Sequence, residues 1–285
     1  MSTASRDRIP VEDGVSLAVD HTAGRARPFV LVHGLASNRR LWDGVVQELT
    51  AAGHETIAVD LRGHGESDAP ATGYDTDTAA RDLGSVVAAY GFDGDRRPIL
   101  VGQSWGGQVV VRAAGVGTVA PHALALVDGG WFRLRGAFPD WETCASALTP
   151  PDLRALSAAA LRSGLVAMHP EWEPWAHEAT LANLTVAADG TVSARLRRDH
   201  HMEILRSMWD HDPREDFRTI DVPVLLMPAY NESDMAQMSR LAVAEARELL
   251  PDARVSEYIG GDHDLHAEQP HRVAHDLLSL TSPTA

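Results

Sequence analysis

Lysine is absent: all 25 basic residues are arginine. A Schiff-base or catalytic lysine is therefore excluded, as is a phosphate-binding loop of the Gly-Lys-Ser/Thr kind. Cysteine occurs once, at Cys144, so no intrachain disulfide and no thiolate cluster for zinc can form. Positive charge is scarce overall, with 40 Asp and Glu giving a formal net charge of −15. A nucleic-acid backbone is held by clustered cations, so nucleic acid is excluded as a partner. The arginine pairs Arg39-Arg40, Arg96-Arg97 and Arg197-Arg198 read as solvated surface. No run approaches the roughly 20 apolar residues of a membrane-crossing helix. The charged stretch Met1 to Gly14 is unlike a secretory signal, so the expected location is cytoplasmic. No G-x-G-x-x-G follows the first strands, which removes a dinucleotide-binding reading.

What is present is an ordinary globular composition, 44% apolar over 285 residues, enough for a large core. Short β-branched runs read as buried parallel strands at Val15–Val19, Phe29–Val32, Glu55–Val59, Pro98–Val101, Ala123–Val127 and Pro223–Met227, with Arg254–Tyr258 last. Helical patterns lie between them at Leu41–Ala52, Thr76–Tyr90, Trp105–Ala114, Met235–Leu250 and Leu265–Leu280. This alternation predicts an α/β fold with a mostly parallel sheet covered by helices on both faces. It lapses over 131–218, a helix-like stretch holding Trp131, Trp141, Trp172, Trp175 and Trp209. That division predicts a core of 1–130 and 219–285 with an inserted helical cap over the carboxyl edge of the sheet. The ends, Met1–Arg6 and Thr281–Ala285, read as frayed tails.

Three motifs carry chemistry. Gly102-Gln103-Ser104-Trp105-Gly106 runs from a strand into a helix, a tight turn that lifts a serine clear of the sheet. Ser104 is the candidate nucleophile, placed at a helix N-terminus where amide groups favour developing negative charge. His33-Gly34-Leu35 ends an earlier strand, and the N–H groups of Leu35 and Trp105 are the expected oxyanion donors. The loop Gly260-Gly261-Asp262-His263 follows the last strand, and a serine needs such a base within reach. His263 is that candidate, with His266 as a supporting residue one turn on. His33 and Gly34 are expected near the substrate, with Trp131 in the cap.

With Asp60-Leu61-Arg62-Gly63-His64-Gly65-Glu66-Ser67 added, four motifs fall in order and spacing, and the chain resembles the α/β-hydrolase superfamily with a helical cap. The resemblance implies a Ser–His–acid triad, an acyl-enzyme intermediate, no cofactor and no metal. Serine at the elbow sets it apart from relatives that attack with a carboxylate. The acid departs from the family pattern. The usual G-x-x-D loop reads Ala229-Tyr230-Asn231-Glu232, with Asp234 two residues late. Asp128, at the tip of Ala123–Val127, and Glu232 are near-equal candidates; Asp128 is preferred because the later loop is irregular. The expected reaction is hydrolysis of an ester or lactone of a small to medium apolar or aromatic molecule. C–C bond hydrolysis of a ring-cleavage product, a perhydrolase or acyltransferase reaction, and a non-catalytic ligand-binding role stay open, as do monomer and homodimer.

Overall fold

The computed structural model describes residues 4–231 and 234–281, without the side chains of 234–236. The chain starts with strands β1 (Ala4–Pro10), β2 (Ser16–Thr22) and β3 (Ala26–Val32), then helix α1 (Asp43–Ala51) and β4 (His54–Val59). Next come α2 (Thr76–Ala89), β5 (Ile99–Gln103), α3 (Trp105–Gly115) and β6 (Ala123–Val127). Between β6 and the next sheet strand lie α4 (Leu134–Ala137), α5 (Trp141–Leu148), α6 (Ala158–Met168), α7 (Pro174–Leu181), a hairpin of β7 (Leu184–Val186) and β8 (Val192–Ala194), α8 (Arg198–Asp210) and α9 (Pro213–Phe217). The chain closes with β9 (Val224–Met227), β10 (Ala229–Tyr230), α10 (Asp234–Leu249), β11 (Ala253–Val255), β12 (Tyr258–Ile259), α11 (Leu265–Glu268) and α12 (Pro270–Leu278).

Eight strands form one sheet in the order β1-β2-β4-β3-β5-β6-β9-β11, parallel from β4 onward and antiparallel at the β1 edge. The parallel strands inside the β11 edge are buried on both faces, which is why they read as continuous apolar runs. One core cluster packs β3, β5 and β6 against α2 and α3, and another packs them against α1 and α12.

Several expectations need correction. Residues 4–6 are not a tail: Ala4 pairs with Thr22 and the ladder runs to Pro10. β1 is an exposed edge strand of mainly polar residues, so it lacks the alternation that marks a half-buried strand. The expected last strand splits into β11 and β12, because Pro228 interrupts the neighbouring β9 and β10 and has no N–H to give. Leu265–Leu280 breaks at Pro270, which starts a new helix rather than continuing one. The inserted stretch is not wholly helical, since it contains the β7–β8 hairpin. Within it Cys144 is fully buried, packed with Leu134, Leu205 and Trp209.

The Arg39 reading also fails. Its side chain is 2% exposed and paired with Asp60 and with Glu66 at 2.6 Å. Asp60, itself buried, also accepts the Arg39 amide at 2.7 Å and the Glu66 amide at 2.8 Å. This knot ties the loop after β3 to the loop after β4. Asp60→Ala removes the only fully buried partner of the Arg39 guanidinium, which keeps Glu66 and Asp20, and strands two amides; it is expected to cost about 3–5 kcal/mol, read from urea unfolding.

Candidate active site

The parallel register brings the candidate residues together. Gln103 stands beside Val127 and Val127 beside Met227. The ladder runs one step further, the Ser104 amide donating to the Val127 carbonyl and the Asp128 amide to the Met227 carbonyl, each at 3.0 Å. Ser104 and Asp128 are thus neighbours on the carboxyl edge, where open α/β sheets place their ligands.

Both residues have left-handed backbones, φ 53° at Ser104 and 42° at Asp128, and so does Ala36, beside Leu35, at 58°. Such strain persists only where surrounding structure imposes it. The elbow is closed by Gly106, where a Cβ would lie 2.5 Å from the Val32 and His33 carbonyl oxygens. Gly34 backs onto it from the other side, where a Cβ would lie 2.9 Å from that of Ser104.

His263 reaches across from the loop before α11. Its Nδ1 donates to Asp128 Oδ2 at 2.6 Å, and the other oxygen of Asp128 accepts the Ala229 amide at 3.0 Å. That fixes Nδ1 as the protonated nitrogen and leaves Nε2 its lone pair. Burial lowers the imidazole pKa, but the bond to Asp128 and the charges of Asp128, Asp264 and Asp262 outweigh it and raise it to about 9. The ring is 55% exposed, so solvent screens part of that effect. Two contacts hold the loop: Gln103 Nε2 donates to the His263 carbonyl at 3.1 Å, and Asp262 faces His169 at 3.3 Å.

Trp105 is the first residue of α3, where an amide has no acceptor within the helix. In the loop after β3, the Ala36 amide is taken by His64 and the Ser37 amide by the Gly34 carbonyl, while no described acceptor takes that of Leu35.

Ser104, Asp128 and His263 line one cavity of about 460 Å³ with Leu35, Trp131 and Gln108. Its remaining wall is mostly apolar, with Phe132, Leu134, Leu148, Leu205 and Met208 beside His201 and Ser239. No arginine lines it among the described residues. Glu232 lies outside the described residues, as does the side chain of Asp234. No cluster of three or more His, Cys, Asp or Glu suited to a metal ion occurs among the described residues.

His33, expected near the substrate, does not line the cavity. It is fully buried, its Nδ1 donating to the Gly34 carbonyl at 2.7 Å and its Nε2 accepting the Leu61 amide at 3.0 Å. His64 mirrors it, donating to the Arg62 carbonyl and accepting the Ala36 amide at 3.1 Å. Each histidine, standing at the end of one strand, clasps the loop of the other. Gly34, also buried, fills the gap behind Ser104 rather than facing the cavity. Of the tryptophans, only Trp131 lines the cavity among the described residues. Trp105 is buried with its indole on Thr76, Trp42 lies against His266 with the rings tilted, and Trp172 packs with Leu41 and Ala176. Gln108, Phe132 and the α8 residues His201, Leu205 and Met208 escaped the sequence reading. A polar residue one turn beyond Ser104, on a helix whose first two turns are otherwise apolar, was the available signal for Gln108.

A strained serine and a carboxylate-bound histidine on the carboxyl edge of a parallel sheet are the arrangement of a hydrolase. Residues 29–276 match the sequence model described as alpha/beta hydrolase family. The chain belongs to that family and is a hydrolase. It is 28% identical over 262 residues to a non-heme chloroperoxidase of Streptomyces lividans, covering 89% of this chain and 91% of that protein. A 120-residue stretch is 38% identical to the AB hydrolase superfamily protein YisY of Bacillus subtilis (strain 168), covering 42% of this chain and only 41% of that one. Among solved structures, the esterase RhEst1 from Rhodococcus sp. ECU1013 aligns with a TM-score of 0.72 at 27% identity, over 99% of this chain and all of that one. E-2-(acetamidomethylene)succinate hydrolase has the same fold, with a TM-score of 0.76 at 22% identity, over 98% and 99% of the two chains. No described helix is long and apolar enough to cross a membrane.

Proposed function

We propose that the chain is a serine hydrolase that cleaves a carboxylic ester or lactone through an acyl-enzyme. The observation that carries this reading is the 2.6 Å bond from Asp128 to His263, on a histidine that shares a cavity with Ser104. Ser104 Oγ attacks the carbonyl carbon as His263 Nε2 takes its proton, and the Leu35 and Trp105 amides hold the oxyanion. The tetrahedral intermediate collapses, the C–O bond to the alcohol breaks, and His263 returns the proton to the leaving oxygen. Water then adds with the same help, releasing acid and free Ser104. Asp128 fixes the histidine tautomer and balances the imidazolium. The segment 131–218 serves as a cap on the core of 1–130 and 219–285, its Trp131 and α8 side chains forming the far wall. The apolar wall, free of arginine, favours a neutral acyl group over a carboxylate-bearing one.

The relative named non-heme chloroperoxidase aligns over nine-tenths of the chain, which supports a second reading: hydrogen peroxide in place of water takes the acyl group, giving a peracid and free Ser104.

The test is intact mass after treatment with a fluorophosphonate, beside a series of p-nitrophenyl esters of rising chain length. One adduct on the wild type, none on Ser104→Ala, and loss of ester turnover by about five or six orders of magnitude in the variant are expected. A folded wild type that neither labels nor turns over overturns the proposal. Peracid formed with peroxide present assigns the second reading.

A further inference from the structure

His64 lines no part of the cavity among the described residues, yet it grips the turn that presents the Leu35 amide. That turn runs from Gly34 to Ser37 and is closed by the Ser37 amide on the Gly34 carbonyl at 3.3 Å. Its third residue, Ala36, has φ 58°. Turns with a positive φ at that place normally carry glycine, because a Cβ there crowds the following carbonyl. Alanine favours a different turn, in which the peptide between Leu35 and Ala36 is rotated. A contact from outside the turn has to hold the form that is observed.

The hydrogen bonds identify that contact. His33 anchors the near end, its Nδ1 donating to the Gly34 carbonyl at 2.7 Å. The far end, where the strain lies, is anchored by His64, whose Nε2 accepts the Ala36 amide at 3.1 Å. The ring is set up to accept. Its Nδ1 donates to the Arg62 carbonyl at 2.8 Å, which leaves the lone pair on Nε2. Burial and the facing His33 and His201 lower its pKa to about 3, against the Arg62 carbonyl and Asp60, so the ring is neutral at pH 7. The same ring lies 5.8 Å from the indole of Trp105, the residue that bears the other donor of the proposed mechanism.

We propose that His64 is a positioning residue of the oxyanion site, its bond to Ala36 holding the turn in the left-handed form that aims the Leu35 amide at the substrate oxygen. This deepens the serine-hydrolase reading and rests on it. Without the bond, rotation of the 35–36 peptide relieves Ala36 and moves the chain beside it. The transition state then loses one of its two donors, while the apolar wall that binds the substrate is untouched.

The experiment measures kcat and KM for p-nitrophenyl butanoate, and the rate of fluorophosphonate labelling, per folded molecule. It compares wild type, His64→Leu, His64→Gln and His64→Leu combined with Ala36→Gly. His64→Leu is expected to lose about thirty- to three-hundredfold in kcat, with KM within about threefold and labelling slowed in step. His64→Gln keeps an acceptor for the Ala36 amide and is expected to stay within about tenfold of wild type. Glycine takes the left-handed form unaided, so Ala36→Gly is expected to return at least about tenfold in kcat to His64→Leu. A residue that only supported the fold would show no such rescue. A folded His64→Leu with wild-type kcat, or one that Ala36→Gly does not restore, overturns the assignment. Where His64→Leu folds only with Ala36→Gly, a kcat within about tenfold of wild type supports it and a deeper loss overturns it. Failure of both to fold makes the role structural and also overturns it. A wild type that neither labels nor turns over defeats the hydrolase reading itself, and this assignment with it.

Discussion

Asp128→Asn is expected to lower kcat by about three to four orders of magnitude while leaving the protein folded and Ser104 in place. Asp128 accepts from both sides, the Ala229 amide on one oxygen and His263 Nδ1 on the other. Asparagine keeps the first bond by retaining its oxygen there, which turns its NH2 toward the imidazole. The ring can then accept only through Nδ1, so the proton moves to Nε2 and the lone pair that would take the serine proton is lost. The pH profile supplies a second readout. With Asp128 present, kcat/KM should rise with pH as His263 gives up its proton, with a midpoint between the ordinary 6.5 and about 9, since solvent screens the half-exposed ring. In the variant the raising influence of Asp128 is gone, and the midpoint of the residual rate should fall. A variant that loses less than tenfold would remove Asp128 from the mechanism and make Glu232→Gln the next measurement.

Acid should destabilise the fold through histidines that lie away from the chemistry. Burial holds His33 near pKa 4 and His64 near 3, and each uses its unprotonated Nε2 to accept a backbone amide. The sign follows. Unfolded histidines bind protons near 6.5, so from there down to the folded values the unfolded chain carries the extra protons, and stability falls with pH. His263 runs the other way: its raised pKa contributes stability that is complete below 6.5 and lost as pH rises toward 9. The wild-type curve sums every such group, so the measurement is a difference. His64→Gln keeps an acceptor for the Ala36 amide and removes the titration. Between pH 6.5 and 4.5 the wild type should lose about 2 kcal/mol more than this variant in urea unfolding. Parallel curves would show that His64 titrates alike in the folded and unfolded chains, which overturns the prediction.

The sheet was legible because parallel strands buried on both faces leave apolar runs that few other elements produce, as in Phe29–Val32 and Ala123–Val127. The elbow was legible because a strand, a serine between glycines and a helix follow directly in sequence. β1 left no such trace, since an exposed edge strand is held by backbone bonds that any residue makes. The burial of Arg39 was hidden because its partners come from other segments, Asp60 among them. His33 has the residue type of a site and sits beside one, yet both its nitrogens serve the backbone. The register that sets Ser104 beside Asp128 was not legible, because it is a pairing of distant strands that local sequence does not encode.

Cys144 is buried in a cluster of side chains from α4, α5, α8 and the adjoining Phe132 and Phe138, all from the segment inserted above the sheet. The chain's single thiol is therefore a built-in clock on that segment. A thiol reagent in excess should react at the rate at which the insert opens by itself. If that rate matches whole-chain unfolding, the insert and the sheet are one cooperative unit; if it is faster, the wall over the cavity breathes independently, and substrate has a route in that costs the core nothing.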